Sequence, residues 1–110
     1  MIKVTIERGE AGRIRRFSVS GHAGYDDPGK DIVCAGVSAV TVGAVNAVEK
    51  LTGLVPKAKV QNGWLSAETP YGGDPELDGR VQLLLEGMVV SLETIADEYG
   101  TYVQIQEVIM

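Results

Sequence analysis

Apolar and polar residues alternate from the start of the chain. Ile2, Val4 and Ile6 fall on one side of an extended segment and Lys3, Thr5 and Glu7 on the other, the period of a half-buried strand. Residues 9–12 carry two glycines and make a turn. Phe17 and Val19 then alternate with Arg16, Ser18 and Ser20, which predicts a hairpin with one buried face. A second hairpin is predicted over residues 57–61 and 64–69, because Asn62-Gly63 between two such runs is a strong turn signal. Residues 102–108 alternate again as a last strand.

Between the strands the period changes. Leu77, Val81, Leu84, Leu85, Met88, Leu92, Ile95 and Tyr99 recur at three- and four-residue steps. This predicts an amphipathic helix over 75–98, with Pro75 where its missing amide does no harm and Gly100 as the stop. The other helix is less ordinary. Residues 32–51 mix small side chains (Ala35, Gly36, Ser38, Ala39, Gly43, Ala44, Ala47) with β-branched ones (Val37, Val40, Thr41, Val42, Val45, Val48). Branching suits a strand, but a strand of this length would be exceptional. Asp31 can cap a helix, and Gly53 with Pro56 can end one. A helix apolar on most sides is expected to be buried on most sides. Its small residues would also let a second helix, such as a symmetry mate's, approach closely.

The predicted order is ββαββαβ in a single domain, 1–110. The fold class is α+β: a two-layer α/β sandwich with two long helices on one face of a largely antiparallel sheet. At 110 residues the core is modest, so dimerisation would help to bury surface. The net charge of −5 and the lack of a basic run argue against a partner tracked by its phosphates. Arg13, Arg15 and Arg16 read as a solvated face. Trp64 and Tyr71 read as core, with the lining of a substrate groove as the alternative, and Met88 reads as core. The N-terminus lacks the apolar centre of a signal peptide, and no run approaches the ~20 apolar residues of a membrane span. A cytoplasmic protein is expected, with its one cysteine reduced.

That cysteine, Cys34, falls three residues after the Asp31 cap. First-turn amides and the helix dipole favour a thiolate over a thiol there. The one histidine, His22, begins the glycine-rich loop whose far end enters the same helix. The loop must therefore return His22 towards Cys34, and a Cys-His pair is an activated-nucleophile arrangement. Asp31 can orient His22, cap the helix, or do both. Ser38, one turn beyond Cys34, can hydrogen-bond the thiolate or a substrate. Amides of the helix start can stabilise an oxyanion. The bland alternative is a small buried cysteine and an unrelated loop histidine.

Gly21-His22-Ala23-Gly24-Tyr25, followed by Gly29-Lys30-Asp31-Ile32-Val33-Cys34-Ala35-Gly36-Val37-Ser38-Ala39, resembles the signature of the ribosomal-processing cysteine protease family, Prp. The similarity extends over essentially the whole chain. The resemblance implies a peptidase that removes a short N-terminal extension from a large-subunit ribosomal protein. It implies Cys34 as nucleophile and His22 as base, with Asp31 and Ser38 in support. It also implies a homodimer, and acyl transfer without metal or organic cofactor. The loop is expected to admit the peptide, with Gly21, Gly24, Tyr25 and Gly29 in gating and Gly24 and Gly29 as hinges.

Three other readings remain in view. Gly24 to Lys30 has the Gly-x4-Gly-Lys spacing of a phosphate-binding loop. However, Asp31 stands where a Ser or Thr is needed, and Asp26 and Asp27 would repel phosphate. A metal role for Cys34 and His22 lacks the paired-ligand spacing of a structural site. A module that binds a ribosomal protein without cleaving it is the third.

Overall fold

The computed structural model describes residues 1–27 and 30–110. The first hairpin forms as the alternation predicts: β1 (Ile2–Arg8) pairs antiparallel with β2 (Ile14–Ser20). Ile6 faces Phe17 and Val4 faces Val19, but Glu7 pairs with Arg16 while Arg8 pairs with Ile14. Arg15 is thus an extra residue on β2. This bulge lets Ile14 and Phe17, three apart, both point into the core, where both are buried.

β3 (Lys57–Gln61) and β4 (Trp64–Glu68) form the second hairpin. β4 adds antiparallel to β2, and β5 (Val103–Ile109) adds parallel to β1. The sheet order is β3-β4-β2-β1-β5, largely antiparallel as expected. One sheet face carries Ile2, Val4, Ile6, Phe17, Leu65 and Ala67 into the core. Lys3, Thr5, Arg16, Ser18, Lys59 and Ser66 lie on the other.

Both helices cover the apolar face. α2 (Pro75–Glu98) buries Val81, Leu85, Met88, Val89 and Leu92, the stripe that the spacing predicts, and Asp74 caps it by accepting from the Glu76 N–H at 3.0 Å. Truncating a fully buried member such as Leu92 to Ala costs about 2–5 kcal/mol. At the far end of the sheet, Arg8 bonds Glu86 on α2 through two nitrogens, at 2.9 and 2.7 Å, and Glu107 on β5 at 3.2 Å. The Arg8 guanidinium holds the Glu86 carboxyl below the usual range, against partial desolvation.

α1 (Ile32–Thr52) ends where expected, with Gly53 left-handed at φ +76°. It departs from the sequence reading in two ways. Only Val33, Val37, Thr41 and Val48 are buried, so the helix is buried along one stripe and not on most sides. Ile32, Ala35, Ala39, Val42 and Gly43 are exposed. α1 is also long and apolar enough to cross a membrane by length and composition, contrary to the expectation that no run approaches that length. Its many Ala, Gly and Val residues raise the mean hydropathy without filling a core. Thr41 is satisfied inside by donating to the Val37 carbonyl at 2.8 Å.

Two consequences of this topology prepare the site. β2 hands the chain at Ser20 to a loop that must reach Ile32. And because β4 lies beside β2, Ser20 pairs with Trp64, so the turn of the second hairpin sits next to the start of that loop.

Candidate active site

Asp31 organises the junction of loop and helix. Its Oδ1 accepts the N–H groups of Val33 and Cys34, both at 3.0 Å, which caps α1. Its Oδ2 accepts from Tyr25 at 3.0 Å and Asp26 at 3.4 Å. Desolvation opposes ionisation of this carboxyl. The donors from Cys34, Asp26, Tyr25 and Val33 outweigh it and hold the pKa below the ordinary value. Asp31 therefore caps the helix and ties down the loop. All four of its side-chain bonds go to backbone amides, and it forms none with His22.

Cys34 is half-buried in the first turn of α1. Its sulfur accepts the backbone N–H of Ala23 at 3.2 Å. Three amides of the helix start are engaged at rest: Val33 and Cys34 donate to the Asp31 side chain, and Ala35 donates to the Asp31 carbonyl at 3.0 Å. An oxyanion would have to compete with Asp31 for these three. The donor that reaches the sulfur comes from the loop, one residue after His22.

His22 is exposed and shares two cavities with Cys34, Ser38 and Asn62. One cavity, about 230 Å³, runs between α1 and the second hairpin and is walled by Val37, Val42, Val60 and Leu65. The other, about 670 Å³, opens towards Gly24, Asp26, Asp31 and Ala35. The thiol and the imidazole thus stand where the two cavities meet. They form no hydrogen bond to each other. The Nε2 edge of the imidazole lies instead against Gly63, close enough that a Cβ there would sit 2.9 Å from it.

The other predicted positions fall as follows. Gly21 takes φ +88°, and a Cβ on it would collide with the Met1 carbonyl; its N–H donates to the Gly63 carbonyl at 2.9 Å. Gly24 is left-handed at φ +71° with open space around it. Tyr25 packs edge-on against Tyr99 and Tyr102, with ring centroids 5.7 and 5.2 Å away, so it docks the loop on the C-terminal end of α2. Gly29 lies outside the described residues. Trp64, read as core, is half-buried and lines the smaller cavity. Tyr71 is exposed beside Arg13 and Arg15, away from the thiol. Sequence reasoning missed Asn62 and Gly63, because the dipeptide signals a turn but not what the turn will touch.

A two-layer α/β fold holding a lone thiol at a helix start, in a groove shared with the lone imidazole, has the parts of a hydrolase of the thiol type. The sequence profile of cysteine protease Prp matches residues 1–104. Ribosomal processing cysteine protease Prp of Bacillus subtilis (strain 168) is 46% identical over 101 residues, 90% of each chain. The crystal structure of Prp from S. aureus with a covalently linked product peptide matches at TM-score 0.87 and 34% identity, covering 97% of this chain and 99% of that one. The S. aureus enzyme with a substrate peptide matches at TM-score 0.81 and 33% identity, with the same coverage. The chain belongs to the cysteine protease Prp family.

Proposed function

We propose that this protein is an endopeptidase that removes the N-terminal extension of a large-subunit ribosomal protein, with Cys34 as nucleophile and His22 as general base. The observation that carries the reading is the Cys34 sulfur, set in the first turn of α1 and held by the Ala23 N–H at 3.2 Å in a groove that it shares with His22. Relatives carrying the ribosomal-processing name, and solved relatives holding peptides, support the substrate class.

His22 takes the thiol proton, and the sulfur attacks the scissile carbonyl carbon. His22 then returns the proton to the leaving amine, and water hydrolyses the thioester. Two features suit a peptide. The groove continues on both sides of the sulfur, as cleavage within a chain requires. Its apolar side gives a substrate side chain dry surface at Val37, Val42 and Val60. Ring and sulfur form no hydrogen bond at rest, which is consistent with catalytic contacts that tighten only in the complex. Ser38 faces both cavities and is placed to contact the bound chain. Gly24 gives the loop its freedom to move, and Asp31 sets where the loop returns.

The exposed stripe of α1 supports a homodimer. Ile32, Ala35, Ala39 and Gly43 recur along one face opposite Thr41, and small residues at that spacing let a second helix approach closely. A reduced thiol nucleophile suits the cytoplasm.

The test is incubation with the candidate ribosomal protein bearing its extension, beside the Cys34→Ala variant. Cleavage by the parent chain with none by the variant supports the reading. Cleavage by both overturns it, and binding by both with cleavage by neither favours the non-enzymatic module.

A further inference from the structure

The base assigned above does not stand free: its Nε2 edge rests on the turn of the second hairpin. A Cβ at position 63 would lie 2.9 Å from Nε2, 3.4 Å from Cε1 and 3.6 Å from Cδ2. Real side chains do not tolerate the first of these, so a residue with a side chain here must displace the ring. Gly63 also has φ +74°, so two demands for glycine coincide at one residue: the turn's backbone and the ring's seat. The contact is held in register, because Gly21 donates its N–H to the Gly63 carbonyl at 2.9 Å, one residue before His22. Loop start and hairpin turn therefore cannot drift apart without breaking that bond.

We infer that Gly63 is a positioning residue for the general base, the bare Cα of the hairpin turn being the surface that sets where the His22 imidazole waits. The inference rests on His22 acting as the base. The ring is the exposed end of a side chain, so a Cβ at 63 moves the imidazole before it moves the backbone. The fold is then retained while the proton acceptor is misplaced. A displacement of about 1 Å in such a group lowers turnover on the order of 10²-fold.

Backbone strain is separated from ring displacement by a matched control. Gly53, at the end of α1, has φ +76° and nothing within 4 Å of its Cβ position, so Gly53→Ala carries the same backbone strain far from His22. Gly63→Asn is the second test variant, since Asn tolerates the left-handed region but still brings a Cβ. His22 is the one histidine in the chain, so a single imidazole C2–H resonance reports its environment in each variant. In Gly63→Ala and Gly63→Asn that resonance is expected to shift and kcat to fall on the order of 10²-fold. KM should change little and Tm should drop no more than in Gly53→Ala. An unmoved resonance, or a kcat no lower than that of Gly53→Ala, overturns the inference. His22→Ala is run alongside. If it still cleaves, the base assignment fails and takes this inference with it. If it is inactive while both Gly63 variants turn over normally, the inference alone is lost.

Discussion

The backbone N–H of Ala23 donates to the sulfur of Cys34 at 3.2 Å, between residues eleven apart in sequence. The bond joins the loop to the helix at the sulfur proposed as nucleophile. The donor is the main-chain N–H of the loop itself. Because it comes from the residue after His22, the geometry of thiol and imidazole is set by one short piece of backbone.

Replacing the sulfur is therefore expected to separate fold from activity. Cys34→Ser keeps an acceptor of similar shape for the Ala23 N–H, so Tm should stay within a few degrees. Cleavage should fall on the order of 10³-fold or more, since a hydroxyl is a far weaker nucleophile than a thiolate. Single-turnover cleavage with the purified variant measures this. Activity near that of the parent would contradict the role of the sulfur.

Two glycines of the loop should behave differently. Gly21→Ala meets both a left-handed φ and the Met1 carbonyl, a backbone obstacle that cannot rotate away. It should cost about 1–3 kcal/mol in denaturant unfolding. Gly24→Ala meets open space and should cost about 1 kcal/mol while lowering turnover through a stiffer loop. Full turnover in Gly24→Ala would remove the hinge role.

Acid should loosen the loop through Asp31. Its folded pKa is depressed by backbone donors, so its contribution to stability is complete above the unfolded carboxyl pKa. That contribution is lost as pH falls through the lower folded value. Asp31→Asn should therefore have a lower Tm than the parent at pH 7, with the gap narrowing below about pH 4. Thermal melts across pH 2–7 check the sign, and a gap that widened in acid would contradict it.

The α1 face offers a test of assembly. Ala39→Arg places a long cation in the centre of the exposed small-residue stripe, outside the buried residues of α1. Sedimentation should show a dimer for the parent and a monomer for the variant, with Tm little changed at low concentration. Identical sedimentation would place the dimer contact elsewhere.

Much of this was legible in the chain because its signals are local. Alternation at Ile2, Val4 and Ile6 needs only the pleat of a strand. The Leu77-to-Leu92 stripe needs only the helical period, and an Asp three residues before a Cys needs only the geometry of a first turn. The candidate nucleophile and base could be singled out because the sequence holds one cysteine and one histidine. The burial of α1 was misjudged for a physical reason: apolarity around a helix says that surface wants to be covered, not that this chain alone covers it. Trp64 was misplaced because an aromatic beside a strand looks the same whether it faces a core or a cleft.

The sequence by itself determined the elements and their order, since each depends on residues within a turn or a pleat of one another, and it singled out Cys34 and His22 as the candidate pair. Tertiary structure alone decided which hairpin turn the imidazole rests on and which amide reaches the sulfur. Those facts depend on β4 pairing with β2 and on the path of a loop fixed at both ends, contacts between residues far apart in the chain that no local period encodes.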